Sequence, residues 1–191
     1  MPQSLHVKAE DNLRFIRETM ERAGSFTAVS GWGTMGIGAT ALLAAWLAGI
    51  AATADRWLAL WLGEAAVAVA IAMATTTWKV RDHRVPLVSG PARKFALSFV
   101  PPMVAGALLT VVLVARGEHA LLPAVWMLLY GAAVVSAGTF SVRIVPVMGA
   151  CFMLCGALVA VLPQYRDLMM AVSFGGVHLA FGAAIARRHG G

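Results

Sequence analysis

Glu64 is the only acidic residue inside an apolar stretch of this 191-residue chain. A carboxylate in hydrocarbon is costly unless it is paired, protonated or near water, so it is a candidate for proton binding or an ion pathway. The competing reading is a glutamate that snorkels to the interface or pairs with a nearby arginine. His178, midway along the last apolar stretch, is the second candidate. Imidazole titrates near neutrality and can relay protons or bind metal, or it can simply hydrogen-bond to a neighbouring helix. If both faced one interior, Glu64 and His178 would form a buried acid–imidazole pair. Cys151 and Cys155 are four residues apart and share one helix face. With His178 they are the candidate ligands of a soft-metal site, which needs three or four converging groups. As small hydrophobes in a packed helix they need no such role, and their spacing suits a disulfide poorly. The chain has no phosphate-binding glycine loop, no H-E-x-x-H, no nucleophile elbow and no second intramembrane histidine for haem. The expectation is therefore a non-enzyme without a cofactor.

The elements that must position these residues are apolar. Stretches of roughly 33–50, 57–78, 95–115, 121–140, 145–162 and 168–186 cut the chain into alternating polar pieces. Each is close to the roughly 20 residues a helix needs to cross a bilayer. With 60% hydrophobic and 13% charged residues, the chain has too little polar surface for a soluble globule. The expected fold is all-α and polytopic: six transmembrane helices as three hairpins (about 31–78, 95–140 and 143–188) after a cytoplasmic N-terminal helix. The domains are 1–30, that helix with its connector, and 31–191, the membrane bundle.

Fifteen lysines and arginines orient the bundle. Lys8, Arg14, Arg17, Arg22, Lys79, Arg81, Arg84, Arg93, Lys94, Arg143, Arg187 and Arg188 fall on one side, and Arg56, Arg116 and Arg166 on the other. By the positive-inside rule both termini are cytoplasmic, in what we read as a bacterial inner membrane. The three outer arginines have acidic companions at Asp55, Glu118 and Asp167. The net charge of +6 sits beside hydrocarbon, so its counterions are anionic lipid headgroups at the cytoplasmic face rather than nucleic acid. No cleavable signal peptide is visible, and the first span serves as an uncleaved anchor.

Residues 9–23 read as an amphipathic helix with Leu13, Ile16, Met20 and Ala23 on one stripe and a charge ladder of Glu10, Arg14, Glu18 and Arg22. It either lies on the membrane or contacts a partner or sister subunit through residues 9–24. Gly31, Gly33, Gly36 and Gly38 open the first span and permit close helix packing. The loop from Lys79 to Lys94 is expected to turn at Pro86, Ser89, Gly90 and Pro91, and Pro101 and Pro102 to kink or break the third span. Val100-Pro101-Pro102-Met103 and Val145-Pro146-Val147-Met148 match as V-P-x-M at an offset of 45, which suggests that the second and third hairpins are copies.

Six short spans in three hairpins, with G-x-x-x-x-x-x-G spacings at Gly149/Gly156 and Gly175/Gly182, resemble the HdeD-type family of small bacterial inner-membrane proteins. The resemblance covers the six-span region and implies an association with acid stress. That family has no established catalytic residues, so none is carried over, and the N-terminal helix has no counterpart in it. The function read from the residues is a non-catalytic association or regulatory membrane module, meeting itself or a protein partner through residues 9–24 and small-residue helix faces. The alternative is a small proton- or ion-coupled transporter or channel using Glu64 and His178. For orientation, with Cys151 and Cys155 replaced by alanine, an impermeant thiol reagent should label Glu118→Cys from outside and Ser89→Cys only from inside. The reverse pattern would overturn the assignment.

Overall fold

The computed structural model describes residues 12–16, 20, 29–82 and 90–189. Within them six helices are long and apolar enough to cross a membrane. They are α1 (Gly31–Gly49), α2 (Ala54–Asp82), α3 (Gly90–Ala115), α4 (Leu122–Gly138), α5 (Ile144–Val161) and α6. The last is composite: Arg166–Met170, a π-helical Ala171–Val177, and His178–His189. The expected all-α polytopic fold is what forms.

Local chemistry sets the helix ends. Ser30 is extended and its hydroxyl accepts the Gly33 N–H at 3.1 Å, while the Thr34 hydroxyl donates to the Ser30 carbonyl at 2.8 Å. The first bond satisfies one of the N–H groups that a helix start leaves open, and the second adds to a carbonyl that already accepts the Thr34 N–H. At the start of α2, Thr53 accepts the Trp57 N–H on its carbonyl and the Arg56 N–H on its hydroxyl. Asp55 in the first turn and Lys79 and Arg81 in the last complement the helix dipole. Gly117, at φ 74°, closes α3. Its N–H donates to the Val114 carbonyl at 3.0 Å and the Glu118 N–H to the Leu113 carbonyl at 2.8 Å, a Schellman ending that needs a left-handed residue. Short 3₁₀ turns, His119–Leu121 and Pro163–Tyr165, lead into α4 and α6.

Two sequence expectations change. The loop between α2 and α3 is shorter than Lys79 to Lys94, because α2 continues to Asp82 and α3 begins at Gly90. Gly90 and Pro91 thus start a helix rather than form turns; a proline in the first helical turn gives up an N–H that has no partner there. Pro86 and Ser89 lie outside the described residues. Nor do Pro101 and Pro102 break α3, which is helical through both. Their missing N–H groups remove only their own bonds from a ladder carried by the flanking turns.

Consecutive helices run antiparallel as three hairpins, and the most extensive packing lies between hairpins, α6 on α1 and α5 on α4. Packing partners give the order α2, α1, α6, α5, α4, α3. Both tight pairs are built on glycines seven residues apart: Gly31 and Gly38 meet Gly175 and Gly182, and Gly131 and Gly138 meet the helix that carries Gly149 and Gly156. A methyl group on Gly38 would lie 2.8 Å from the Gly175 carbonyl oxygen, and one on Gly149 would lie 2.7 Å from that of Gly131. No side chain fits, so the backbones touch. In the apolar windows of α2 and α3, by contrast, only 6% and 0% of the residues are fully buried, so each packs with one partly buried face and turns the other outward.

The predicted N-terminal helix of residues 9–23 falls mostly outside the described residues. Residues 12–16 and 20 are helical, and Leu13, Ile16 and Met20 on the predicted apolar stripe are exposed.

The glycine crossings predict an asymmetry between neighbouring substitutions. Gly149→Leu should lower stability by about 1–3 kcal/mol through overpacking. Gly176→Leu, where an added Cβ meets nothing within 4 Å, should change it by less than about 0.5 kcal/mol. Unfolding curves in mixed micelles would compare the two.

Candidate functional site

His178 lies at the centre of a ring cluster to which five helices contribute. Tyr130 comes from α4, Phe152 from α5 and Phe174 from α6, with centroids 5.6, 5.1 and 6.3 Å from the imidazole. Trp61 of α2 packs on Phe174 and Phe99 of α3 on Tyr130. The histidine is 2% exposed. Its Nδ1 is 2.8 Å from the Phe174 carbonyl oxygen and its Nε2 is 2.8 Å from the Tyr130 hydroxyl. A carbonyl can only accept, so Nδ1 carries the proton; in the neutral ring Nε2 then accepts from the tyrosine O–H. The arrangement has a local origin, because the carbonyl in question belongs to the π-helical turn, where the regular α ladder is interrupted. It also has a long-range result: the Tyr130–His178 bond ties α4 to α6 and so joins the two glycine-packed pairs.

Glu64 is held elsewhere. The Thr40 hydroxyl of α1 donates to Glu64 Oε1 at 2.9 Å and also lies within reach of the Ile37 and Gly36 carbonyls of its own helix. Glu64, Ala68, Ala72 and Thr76, the stripe read from sequence, belong to the less exposed face of α2, which packs on α1. Glu64 and His178 therefore have different partners on different helices, and no bond joins them. Cys151 and Cys155 are free and partly buried on α5. Both His178 nitrogens are hydrogen-bonded, and no group of three metal-ligating side chains converges among the described residues.

A third polar assembly was not singled out by sequence reasoning. At the end of the bundle opposite the termini, all three connecting turns border a cavity of about 280 Å³. The turn between α1 and α2 brings Ala51, Ala52 and Thr53; the next brings His119; the last brings Arg166 and Asp167. Asp167 uses both oxygens: Oδ1 accepts the Trp57 Nε1–H at 2.9 Å and Oδ2 lies 3.5 Å from Arg166 Nε. Trp57 stacks on Trp126 of α4 at 5.7 Å, which draws α2 across to α4 at this end. Asp55 lies 3.8 Å from His119 rather than against its neighbour Arg56. The sequence signal was present, since each turn holds an acid or a base beside the first residues of a helix, but it reads only as charge balance until the turns are brought together.

At the bottom of the bundle near the termini, Lys79 Nζ donates to the Val29 carbonyl at 3.3 Å and is 6% exposed. That bond fixes the entry to α1 against the end of α2.

The ring cluster makes a direct prediction. Tyr130→Phe leaves His178 Nε2 buried without a donor and should cost about 1–3 kcal/mol of stability. In the His178→Leu background, where no nitrogen remains to be satisfied, the same change should cost much less. A double-mutant cycle in mixed micelles measures the difference, and additive losses would show that the bond carries no coupling.

Comparison of the chain with protein-family models, with curated proteins and with solved structures finds no match, so its role has to be argued from these groups themselves.

Proposed function

We propose that this membrane protein is a non-catalytic module that acts by association, lying in a bacterial inner membrane with both termini in the cytoplasm. The observation that carries this reading is the use made of the polar groups inside the bundle. Tyr130 and His178 satisfy one another inside a packed ring cluster, and Thr40 joins Glu64 across α1 and α2. Both bonds hold helix to helix. The surfaces we assign to partners are the segment 9–24, in which Leu13, Ile16 and Met20 are exposed, and the outward faces of α2 and α3. The cation distribution supports the orientation and anionic headgroups, rather than nucleic acid, as the counterions on that side. Recurrence of the seven-residue glycine spacing on α4 and α6, together with the V-P-x-M match, supports a duplicated hairpin and the HdeD-type resemblance.

One observation favours the transporter reading instead: Glu64, inside an apolar span, has a neutral hydroxyl as its hydrogen-bond partner and no ion pair among the described residues. The two readings separate experimentally. Deleting residues 1–24 leaves the Ser30 cap and the Lys79–Val29 bond in place, so insertion should survive while a tagged copy no longer co-purifies an untagged copy or another partner. Co-purification that persists would count against the segment as the contact. In reconstituted vesicles Glu64→Gln should leave proton and solute flux unchanged, and a flux that disappears with this substitution would establish the transporter.

A further inference from the structure

We propose that Glu64 is a proton-binding site in the middle of the apolar bundle, held as the neutral carboxylic acid with its O–H on the Thr40 hydroxyl. This goes beyond the association reading and does not depend on it, because a proton held in place need not be carried across.

The depth of the carboxyl group comes from its partner. Thr40 is the central residue of α1, nine residues from Gly31 and nine from Gly49, which puts it about 13 Å from either end. Glu64 Oε1 lies 2.9 Å from the Thr40 hydroxyl, so the carboxyl group stays at that depth instead of reaching for the interface. No opposite charge meets it there. Helix α1, on which this face of α2 packs, has no titratable residue from Gly31 to Gly49. Along α2 the nearest charged residues are Arg56 and Lys79, about 12 and 22 Å away along the axis. Trp61, one turn before Glu64, touches Phe174 of α6, and the titratable group of that region, His178, has both nitrogens bonded. A carboxylate so placed would have one neutral donor against the loss of its hydration, which costs more than holding the proton.

Counting hydrogens gives the same answer. The Thr40 hydroxyl has one hydrogen and lies 2.9 Å from Glu64 Oε1, 3.0 Å from the Ile37 carbonyl oxygen and 3.2 Å from that of Gly36. With Glu64 ionised, that hydrogen must go to the carboxylate, which then has no second donor among the described residues. With Glu64 protonated, the bond reverses: its O–H donates to Thr40 Oγ, and the Thr40 hydrogen is released to a carbonyl of its own helix. Every donor then has an acceptor within reach. A hydroxyl can both donate and accept, whereas a lysine or arginine in its place would only donate and so fix the charge. The site is open on one side, since Glu64 is partly buried and Ala65, Ala66 and Val67 beside it are exposed. A reagent dissolved in lipid therefore reaches it.

The test uses the full-length protein in lipid nanodiscs at one neutral pH, with dicyclohexylcarbodiimide as the probe. This reagent needs the acid form: the carboxyl proton moves to one carbodiimide nitrogen, the carboxyl oxygen bonds to the central carbon, and migration of the acyl group to the other nitrogen leaves a stable N-acylurea. Mass spectrometry should find the adduct on Glu64 and none at that position in Glu64→Gln. Infrared spectra should show the C=O stretch of a protonated carboxyl group that shifts in D2O and is absent from Glu64→Gln. Thr40→Val removes the acceptor, so the band should remain and move to higher frequency. Should Glu64→Gln fail to fold, the adduct position in the unaltered protein and the band shift in Thr40→Val decide the matter. No adduct on Glu64, with a carboxylate band the only one that Glu64→Gln removes, would overturn the proposal. An adduct suppressed by sodium chloride but not by choline chloride would make a metal cation the ligand and overturn it equally.

Discussion

Helices in a bilayer gain little from hiding apolar surface from one another, because lipid tails are as apolar as leucine. What holds this bundle is the close approach that small residues permit. Four glycine pairs, each seven residues apart, lie on α1, α4, α5 and α6, and an added Cβ at any of the eight would press into the backbone or side chain of the facing helix. Dispersion at that range is summed over many contacts. The remaining features follow from these two crossings. Because α6 lies on α1 and α5 on α4, the central rings are brought together from both pairs. The two outer helices, α2 and α3, are left with few fully buried residues and one face each turned outward.

The polar groups obey the same economy at different depths. Near the centre, where water is excluded, every nitrogen of His178 has a partner, since an orphan there would cost its full desolvation. Toward the end away from the termini, partners become optional. Trp57 sits at the changeover: its ring stacks in the bundle while its N–H reaches Asp167, the amphipathic behaviour that concentrates tryptophan at membrane boundaries. The rule is not absolute: Trp61 Nε1, one turn further in, and His119 Nε2, beyond it, are buried without a partner, whereas the half-exposed Arg166 guanidinium is open to solvent.

How much of this could be read from the chain depended on sequence distance. The spans were legible because apolar runs of membrane length have few alternatives, and the Glu64 stripe because a helix repeats its faces every three to four residues. Helix ends were harder. The apolar signal stops where hydrocarbon stops, whereas α2 and α3 keep their ladders for several polar residues more. Gly149/Gly156 and Gly175/Gly182 were visible as spacings, but their counterparts at Gly31/Gly38 and Gly131/Gly138 acquire meaning only when the partner helix is known. Tyr130 gave no signal at all: it is one tyrosine in an apolar run, and its partner lies 48 residues away. Trp57 and Asp167 are 110 residues apart, so nothing local announces the cavity they help to close.

The π-helical turn in α6 has one more consequence. A stretch bonded from residue i to i+5 holds an extra residue relative to an α-helix, and one residue corresponds to about 100° of rotation. The two halves of this helix are therefore phased independently. Residues 166–170 are aligned by what they meet around Asp167, and the helix from Gly175 on by the glycine crossing with α1, with the first part of the wide turn absorbing the difference. A single continuous rod would have to satisfy one end at the expense of the other. This helix behaves as two short ones on a common axis, so the chemistry at the loop end can vary without misaligning the contact that holds the bundle.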